Sequence, residues 1–264
     1  MVDIVYFFPH DLMTLSTKSR NAASPMNAPT TLRRVERVRH ELKRRELTVH
    51  TVETPTPHFR RITFQDASLA DFVSAAFDDH VKVFVGAARR DYTPRAFDNA
   101  ARTLVIEFAL HGDGPVAEWA GRAAPGDSLA IGGLKGSLIV PLDYDWHLLA
   151  GDETAFPAVA RRLEELPAGA RAIVVLKAAD AADRRTFASA ADIALTWVAT
   201  DDDLLAAVRA LALPAGDGYA WCAGEAACMA ALRRELVEVK GHPGESIRAA
   251  AYWKRGAQGH HENL

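Results

Sequence analysis

The chain has 264 residues, 49% hydrophobic and 25% charged, with 31 Lys+Arg against 34 Asp+Glu for a formal net charge of −3. This is the balance of an ordinary globular protein long enough for two modest domains, and it gives no general reason to expect nucleic acid or an anionic membrane as partner. Its two cysteines, Cys222 and Cys228, match neither a paired CxxC zinc pattern nor a secreted disulfide framework, so a reducing cytoplasm is the expected setting.

The N-terminal apolar patch Ile4–Phe8 is preceded by Asp3 and ended by Pro9-His10-Asp11, so it lacks the charged start and long core of a signal peptide. No stretch reaches the roughly 20 apolar residues of a membrane span, and no membrane insertion is expected. Residues 1–31 read as a disordered extension, rich in Ser, Asn, Ala, Pro and Thr from Ser16 onward, with Met26 as an alternative start. Leu32 to Arg45 carries apolar residues at Leu32, Val35, Val38 and Leu42 among seven Lys/Arg, the spacing of a short amphipathic helix. The basic run stands alone without a second nucleic-acid motif, so the plain reading is a solvated helix face.

Short β-prone runs follow at Glu46–Glu53 and Phe59–Phe64, then at Val81–Val85, Thr103–Leu110, Ser128–Ile131 and Ser137–Val140. Six such runs bounded by Gly, Pro and Asp predict a small antiparallel β-barrel. Pro115 opens a short helix to Ala123, at a position where its missing N–H costs nothing. After Asp145 the pattern changes to alternating strands and helices: strands at His147–Ala150, Ala172–Leu176, Leu195–Ala199, Tyr219–Ala223 and Ile247–Trp253, and helices at Ala155–Glu165, Asp202–Ala212 and Ala226–Val239. Such alternation predicts a parallel α/β sheet. The expected division is 32–143 for the barrel, 144–256 for the α/β domain, and a polar, mobile tail over 257–264.

Three loops of the barrel draw attention. Arg89-Arg90-Asp91-Tyr92-Thr93-Pro94-Arg95 places guanidinium groups, a phenol and a hydroxyl at the barrel mouth, where a flat aromatic ligand with a diphosphate tail can be gripped. His111-Gly-Asp-Gly114-Pro115 leads into a helix N-terminus that presents free N–H groups to phosphate. The third loop runs from Gly132 to Gly136-Ser137. Taken singly, these are a solvated turn, a helix start and a hairpin loop.

In the α/β half, the Gly151-Asp152-Glu153-Thr154 turn lies at the carboxyl end of the first strand, where such sheets bind nucleotides, although GxGxxG is absent. Thr154 can equally be an N-cap, with Asp152 and Glu153 as helix-dipole partners. Lys177, with Arg184 and Arg185 after it, favours the 2′-phosphate of NADPH over the bare ribose of NADH. Cys222-Ala-Gly224-Glu225 is a second strand-to-helix turn at the same edge, with Cys222 read as a buried small apolar residue. Tyr252-Trp253-Lys254-Arg255 joins two aromatics to two cations. The ten histidines show no HExxH spacing, so any iron is substrate and no metal site is expected.

The ordered set Pro57–Phe64, Arg90/Tyr92/Thr93/Arg95, His111–Pro115 with Trp119-Ala120, Pro125–Asp127, Ala150–Ala155, Ala223–Ala226 and Tyr252-Trp253 resembles the siderophore-interacting protein family of cytoplasmic ferric-siderophore reductases, within the ferredoxin-reductase-like superfamily. The match spans Leu32 to Gly256. The resemblance implies a flavin-binding barrel followed by an NAD(P)H-binding α/β domain, with FAD in the groove between them. It assigns Arg90 and Arg95 to FAD phosphate or ribityl oxygens, Tyr92 to the flavin wall, and Thr93 to the ring edge near N5 and O4. His111, Gly114, Val116, Ala117, Gly136 and Ser137 fall in the loops that would hold the pyrophosphate.

Asp152, Glu153 and Thr154 would face the nicotinamide side, with Gly224, Glu225 and Trp253 at the same edge. Lys177 stands where the family usually has an acidic residue, which supports NADPH, and Leu134-Lys135 replaces a more usual Pro-Gly loop. The implied chemistry is hydride transfer to flavin N5 and then single-electron steps to siderophore-bound Fe(III), with Lys82, Lys254 and Arg255 attracting the anionic ferric complex. A monomer or weak dimer is expected. The alternatives are a reductase with another acceptor or a ferredoxin donor, and a flavin-free siderophore-binding module.

Overall fold

The computed structural model describes residues 35–110, 114–257 and 262–264; the expected extension over 1–31 lies outside them. From Val35 the chain is extended. Strands β1 (Glu36–Arg39) and β2 (Arg44–Glu53) replace the helix expected over 32–45, of which residues 32–34 are outside the described part. The helical stripe is not used as one face: Val35 packs on a core, whereas Leu42 is 67% exposed. Residues 36–39 pair with 136–139, and 44–48 with 128–132, so two ladders of long-range main-chain hydrogen bonds override the local preference.

There follow β3 (Phe59–Gln65), β4 (Val81–Val85), β5 (Ala88–Tyr92), β6 (Pro94–Asp98), β7 (Thr103–Ala109), α1 (Pro115–Arg122), β8 (Ser128–Gly132) and β9 (Gly136–Ile139). The Arg89–Arg95 segment, read from the sequence as a loop, is thus two strands with Thr93 between them. Seven strands form one antiparallel sheet in the order β5-β4-β8-β2-β3-β7-β6, and β1 pairs with β9.

Strands β5 and β6 are consecutive in the chain yet occupy opposite edges of this sheet. The step from Tyr92 to Pro94 can span only about 7 Å. The sheet must therefore curl until its edges meet, and β5 does approach β7. Alternate residues of each strand fill the interior, among them Leu47, Val49, Ile62, Phe64, Leu104, Ile106, Phe108, Leu129 and Ile131. Helix α1 plugs it with Val116 and Ala120, and Trp119 stacks on Phe64 at 6.3 Å.

The remaining elements are β10 (Trp146–Gly151), α2 (Phe156–Glu165), β11 (Arg171–Lys177), β12 (Asp192–Val198), α3 (Asp201–Ala210), β13 (Gly218–Glu225), α4 (Ala226–Arg234), β14 (Ile247–Trp253) and β15 (Glu262–Asn263). The sheet order is β12-β11-β10-β13-β14-β15, with β10 to β14 mutually parallel and β15 antiparallel to β14. Residues 262–263 of the tail expected to be mobile are therefore an edge strand. Between β11 and β12 the crossover carries only a 3-10 turn (Ala181–Asp183), and α4 continues as a π-helical turn (Glu235–Val239).

Strands β10 and β13 are buried along their whole length because helices cover both faces. Leu204, Val208, Met229 and Leu232 of α3 and α4 pack on Leu148, Ala150, Ile173 and Val175. On the other face, Phe156, Val159 and Leu163 of α2 meet Leu149, Val174, Leu176 and Trp221, together with Phe59 of β3 and with Phe77 and Val140 from the connecting segments of the first half. The chain builds outward from β10 to β12 and then returns to the opposite side of β10 as β13. The carboxyl ends of β10 and β13 therefore flank the topological switch point, the place where open α/β sheets leave a crevice.

The described residues belong to one compact unit, and α2 is its clamp. Arg161 Nη1 donates to Ser74 Oγ (2.8 Å) and to the Pro94 carbonyl (2.9 Å). Arg162 donates to the Val140 and Pro141 carbonyls at 3.0 and 2.6 Å, with its guanidinium 5.1 Å over the Phe77 ring. Phe59 stacks on Phe156 at 5.6 Å, and Arg185 lies 4.4 Å over Phe59.

Each buried carbonyl that loses its donor costs about 1–3 kcal/mol. Arg162→Met keeps the stem and removes both hydrogen bonds, so it is expected to destabilise the protein by about 3 kcal/mol and to lower the melting temperature by roughly 10 °C. Thermal unfolding followed by circular dichroism checks this, and a melting temperature within about 2 °C of the parent would remove the clamp from the account.

Candidate functional site

A cleft of about 490 Å³ opens between the curled sheet and the carboxyl edge of the parallel sheet. One wall comes from β5, whose Ala88, Arg90, Asp91 and Tyr92 line the cleft while Arg89 is exposed. Tyr92 packs on Phe108 with ring centroids 4.6 Å apart, and burial pushes its phenol up to about 12 against a smaller opposing pull from Arg90. Thr93, at the crossover between the sheet edges, is 5% exposed and lines the cleft.

The floor beside this wall is the N-terminus of α1. Gly114 is its extended N-cap with no side-chain cap, Pro115 follows, and the ladder begins with the Glu118 N–H donating to the Gly114 carbonyl at 3.0 Å. The N–H groups of Val116 and Ala117 thus have no acceptor within the helix, and both residues line the cleft. A Cβ built on Gly114 would meet open space, so the glycine keeps the approach to these donors clear.

The opposite wall rises from the switch point. Asp152, 1% exposed, organises it. Its Oδ1 accepts from Thr154 N (2.9 Å) and Thr154 Oγ1 (2.5 Å), and its Oδ2 accepts from Glu225 N (3.0 Å) and Trp253 Nε1 (2.8 Å). Burial raises the pKa of this carboxyl above the ordinary value, against the Thr154 hydrogen bond and the charge of Lys177. Side chains are excluded around it: a Cβ on Gly151 would lie 2.3 Å from the Ala223 carbonyl oxygen, and one on Gly224, at φ +153°, would lie 2.5 Å from Asp152 Oδ2.

Beyond Asp152, Glu153 accepts from the Ala179 N–H at 2.6 Å and lies 3.7 Å from Lys177 Nζ. Lys177 in turn donates to Asp201 at 2.8 Å. Glu225 caps α4 through Ala227 N and Cys228 N, and Arg255 joins Glu225 through its backbone N–H and Asp201 through its guanidinium.

Of the residues singled out in the sequence, Arg90, Tyr92, Thr93, Gly114, Val116, Ala117, Glu153, Thr154, Trp253, Lys254 and Arg255 line this one cleft. His111 lies outside the described residues. Asp152, Gly224 and Glu225 stand behind the wall as supports rather than in the lining. Lys177 is buried with its ammonium on Asp201 and Glu153.

Arg95 is not in the lining: on β6, past the crossover, it pairs with Glu164 of α2, and its Nε lies 3.9 Å from Glu107. Gly136 and Ser137 belong to β9: a Cβ on Gly136 would lie 2.5 Å from the Val38 carbonyl oxygen, and Ser137 Oγ donates to buried Asp79 at 2.7 Å. Lys82 pairs with Asp91 at 2.6 Å and is not in the lining.

Two ionisable lining residues escaped the sequence reading, His80 and Glu107. Glu107 is 3% exposed and is gripped by Arg61 (2.9 and 2.7 Å) and Arg185 (2.8 Å). Burial pulls its carboxyl up, but Arg185 and Arg61 outweigh this and leave it below the ordinary carboxylate range. The signal was a lone carboxylate inside an apolar run, directly opposite Arg61 in the β3–β7 register.

Residues 144–256 match the family model described as siderophore-interacting protein, and residues 48–89 and 86–138 match the siderophore-interacting FAD-binding domain. An NADPH-dependent ferric-chelate reductase from Escherichia coli is 34% identical over 245 residues, covering 83% of this chain and 96% of that one. Ferric vibriobactin reductase ViuB of Vibrio cholerae is 34% identical over 63% of this chain and 65% of its own length. The crystal structure of a siderophore utilization protein from T. fusca superposes with a TM-score of 0.78 at 33% identity, covering 87% of this chain and 98% of that one. With two family models covering both sheets and a relative matched over nearly its whole length, this chain belongs to the siderophore-interacting protein family.

Proposed function

We propose that the protein is an FAD-dependent ferric-siderophore reductase that draws electrons from NADPH and frees iron by reducing Fe(III) to Fe(II). The observation that carries this reading is the single cleft in which Arg90, Tyr92, Thr93 and the uncapped N-terminus of α1 face the switch-point turn of a parallel sheet. The residues fit a dinucleotide. Two helix N–H groups without intrahelical acceptors and one guanidinium suit a diphosphate, and the Tyr92 and Trp253 rings suit a flat aromatic system. Bound FAD supplies the conversion of a two-electron donor into single electrons. The names of the Escherichia coli and Vibrio cholerae relatives support the electron donor and the substrate class.

The chain's own part is to bind, orient and exclude water. Glu153 is held by Ala179 N–H and Lys177, so it acts as a fixed wall rather than as a mobile base. The mouth carries exposed Lys254, whose charge attracts an anionic ferric complex, while Arg255 is half-committed to Asp201. Fe(II) is held far less well by hard oxygen ligands, so reduction releases it. The proposed division lies at 143/144, with the barrel side holding the flavin and the parallel sheet the nicotinamide nucleotide. The same reading takes the protein as a cytoplasmic monomer or weak dimer, with a ferredoxin as the alternative donor.

An anaerobic visible spectrum of FAD-supplemented protein tests the proposal. NADPH is expected to bleach the bound flavin, and a ferric siderophore with a ferrous trap is expected to restore it with stoichiometric Fe(II). Flavin bleached only through a reduced ferredoxin would replace the donor, and bleached flavin that no ferric siderophore reoxidises would replace the substrate. Arg90→Ala is expected to weaken FAD binding about tenfold or more, the scale of one lost charge-assisted contact, as read by quenching of flavin fluorescence. An unchanged dissociation constant would take Arg90 out of the cofactor site. Lys177→Glu would bury a third carboxylate beside Glu153 and Asp201, so its expected first effect is a loss of about 3–5 kcal/mol of stability, read in a chemical melt. A variant as stable as its parent would show that Lys177 is free to serve a ligand instead.

A further inference from the structure

Two lining residues of the cleft, Thr154 and Trp253, are held by the two oxygens of one buried carboxylate. Asp152 Oδ1 accepts from Thr154 N and Oγ1 at 2.9 and 2.5 Å, and Oδ2 accepts from Glu225 N at 3.0 Å and Trp253 Nε1 at 2.8 Å. The Thr154 and Glu225 donors on the main chain have no rotor, so they fix the plane of the carboxylate. Its backbone is fixed as well: the Asp152 N–H donates to the Ala223 carbonyl at 3.3 Å, and its carbonyl accepts from the Ala155 N–H at 2.9 Å.

The strand that carries Trp253 is shaped to reach this oxygen. From Ala220 opposite Ile247 to Gly224 opposite Ala251, β13 and β14 pair at a constant register. The register then slips by one residue, and Glu225 stands opposite Trp253 rather than Tyr252. Such irregularities re-aim side chains. This one brings the Trp253 indole to the carboxylate that already receives the Glu225 N–H. On the far side the Arg255 N–H donates to Glu225 Oε1 at 3.2 Å and holds the chain there. Trp253 is only half-buried, and an indole donates through one N–H, so a single acceptor sets which way its ring faces.

We propose that Asp152 is a positioning residue: its Oδ2 fixes the orientation of the Trp253 ring against the flavin, while its Oδ1 holds Thr154 on the nucleotide side. The proposal rests on the FAD reading above. It makes one carboxylate of the parallel sheet the common anchor of both sides of the cleft.

Emission of the bound flavin in FAD-loaded protein tests it. An indole beside an excited flavin quenches it by electron transfer, and the quenching falls steeply with distance, so the emission reads the ring's position. Trp253→Phe removes the indole and is expected to raise the emission. Asp152→Asn keeps the size of the side chain but sets an amide among N–H donors. It is expected to raise the emission in part and to split its decay into several lifetimes, with the FAD dissociation constant changed by less than about tenfold. In the Trp253→Phe background Asp152→Asn is expected to leave the emission unchanged, because the ring it positions is gone. The parent protein gives a second measurement that needs no Asp152 variant. With nitrogen-15-labelled tryptophan, the indole N–H resonance lost in Trp253→Phe is expected to exchange with deuterium at least about tenfold more slowly than an exposed indole.

An Asp152→Asn protein with the emission and lifetimes of its parent would overturn the proposal, and so would an equal change with and without the indole. A Trp253 N–H that exchanges like an exposed one would overturn it too. Parent protein that takes up no FAD would instead sink the functional reading on which it stands, a failure that the unloaded sample shows before any variant is compared.

Discussion

The structure depends on a short covalent constraint: one residue, Thr93, joins strands that lie at opposite edges of a seven-stranded sheet. Two peptide steps cannot cross an open sheet of that width, so the sheet has to curl. Curling brings the inward residues of β5 toward the N-terminus of α1 and places Thr93 itself at the rim. The cleft follows from this closure, because its barrel-side wall is β5 together with the helix that plugs the curl.

The second sheet is held against this rim by polar groups as much as by apolar ones. Arg161 reaches the Pro94 carbonyl beside the crossover, Arg162 reaches the carbonyls of Val140 and Pro141, and Asp78 receives Trp221 from the centre of the parallel sheet. A buried guanidinium that finds carbonyl partners avoids the cost of an unpaired charge and specifies one docking geometry, since its donors lie in a fixed plane. Phe59 on Phe156, with Arg185 above, adds the apolar half of the same contact. The cleft is thus bounded by two walls whose relation is fixed by directional bonds.

At the switch point one buried carboxylate does the corresponding work. Asp152 gathers Thr154, Glu225 and Trp253, which come from three separate segments, and glycines at 151 and 224 leave it the room. Several acidic residues at this edge proved to be scaffolding. Glu153, Asp201 and Glu225 each have a backbone or cationic partner, so they shape the nucleotide wall and leave little free charge on it. The same holds for Lys177, whose ammonium is spent on Asp201 and Glu153.

The sequence by itself determined the order and type of most elements. Alternating short β-prone runs and then strand–helix alternation reflect burial on one face or two, which is a local property of the side-chain pattern. It also determined the chemistry available at the cleft, since Arg90, Tyr92, Thr93, the Gly114-Pro115 helix start and the Thr154 turn were legible as residue types beside predicted element ends.

Only the tertiary structure decided whether 36–39 would be helix or strand, because the ladder to 136–139 is about a hundred residues distant in the chain. It alone decided that Arg95, Gly136, Ser137 and Lys82 face other partners and that Glu107 sits in the cleft. The reason is common to all of these: a residue's type is written locally, but the partner that commits its hydrogen bonds arrives from another strand, and only the packed sheets bring that partner within reach.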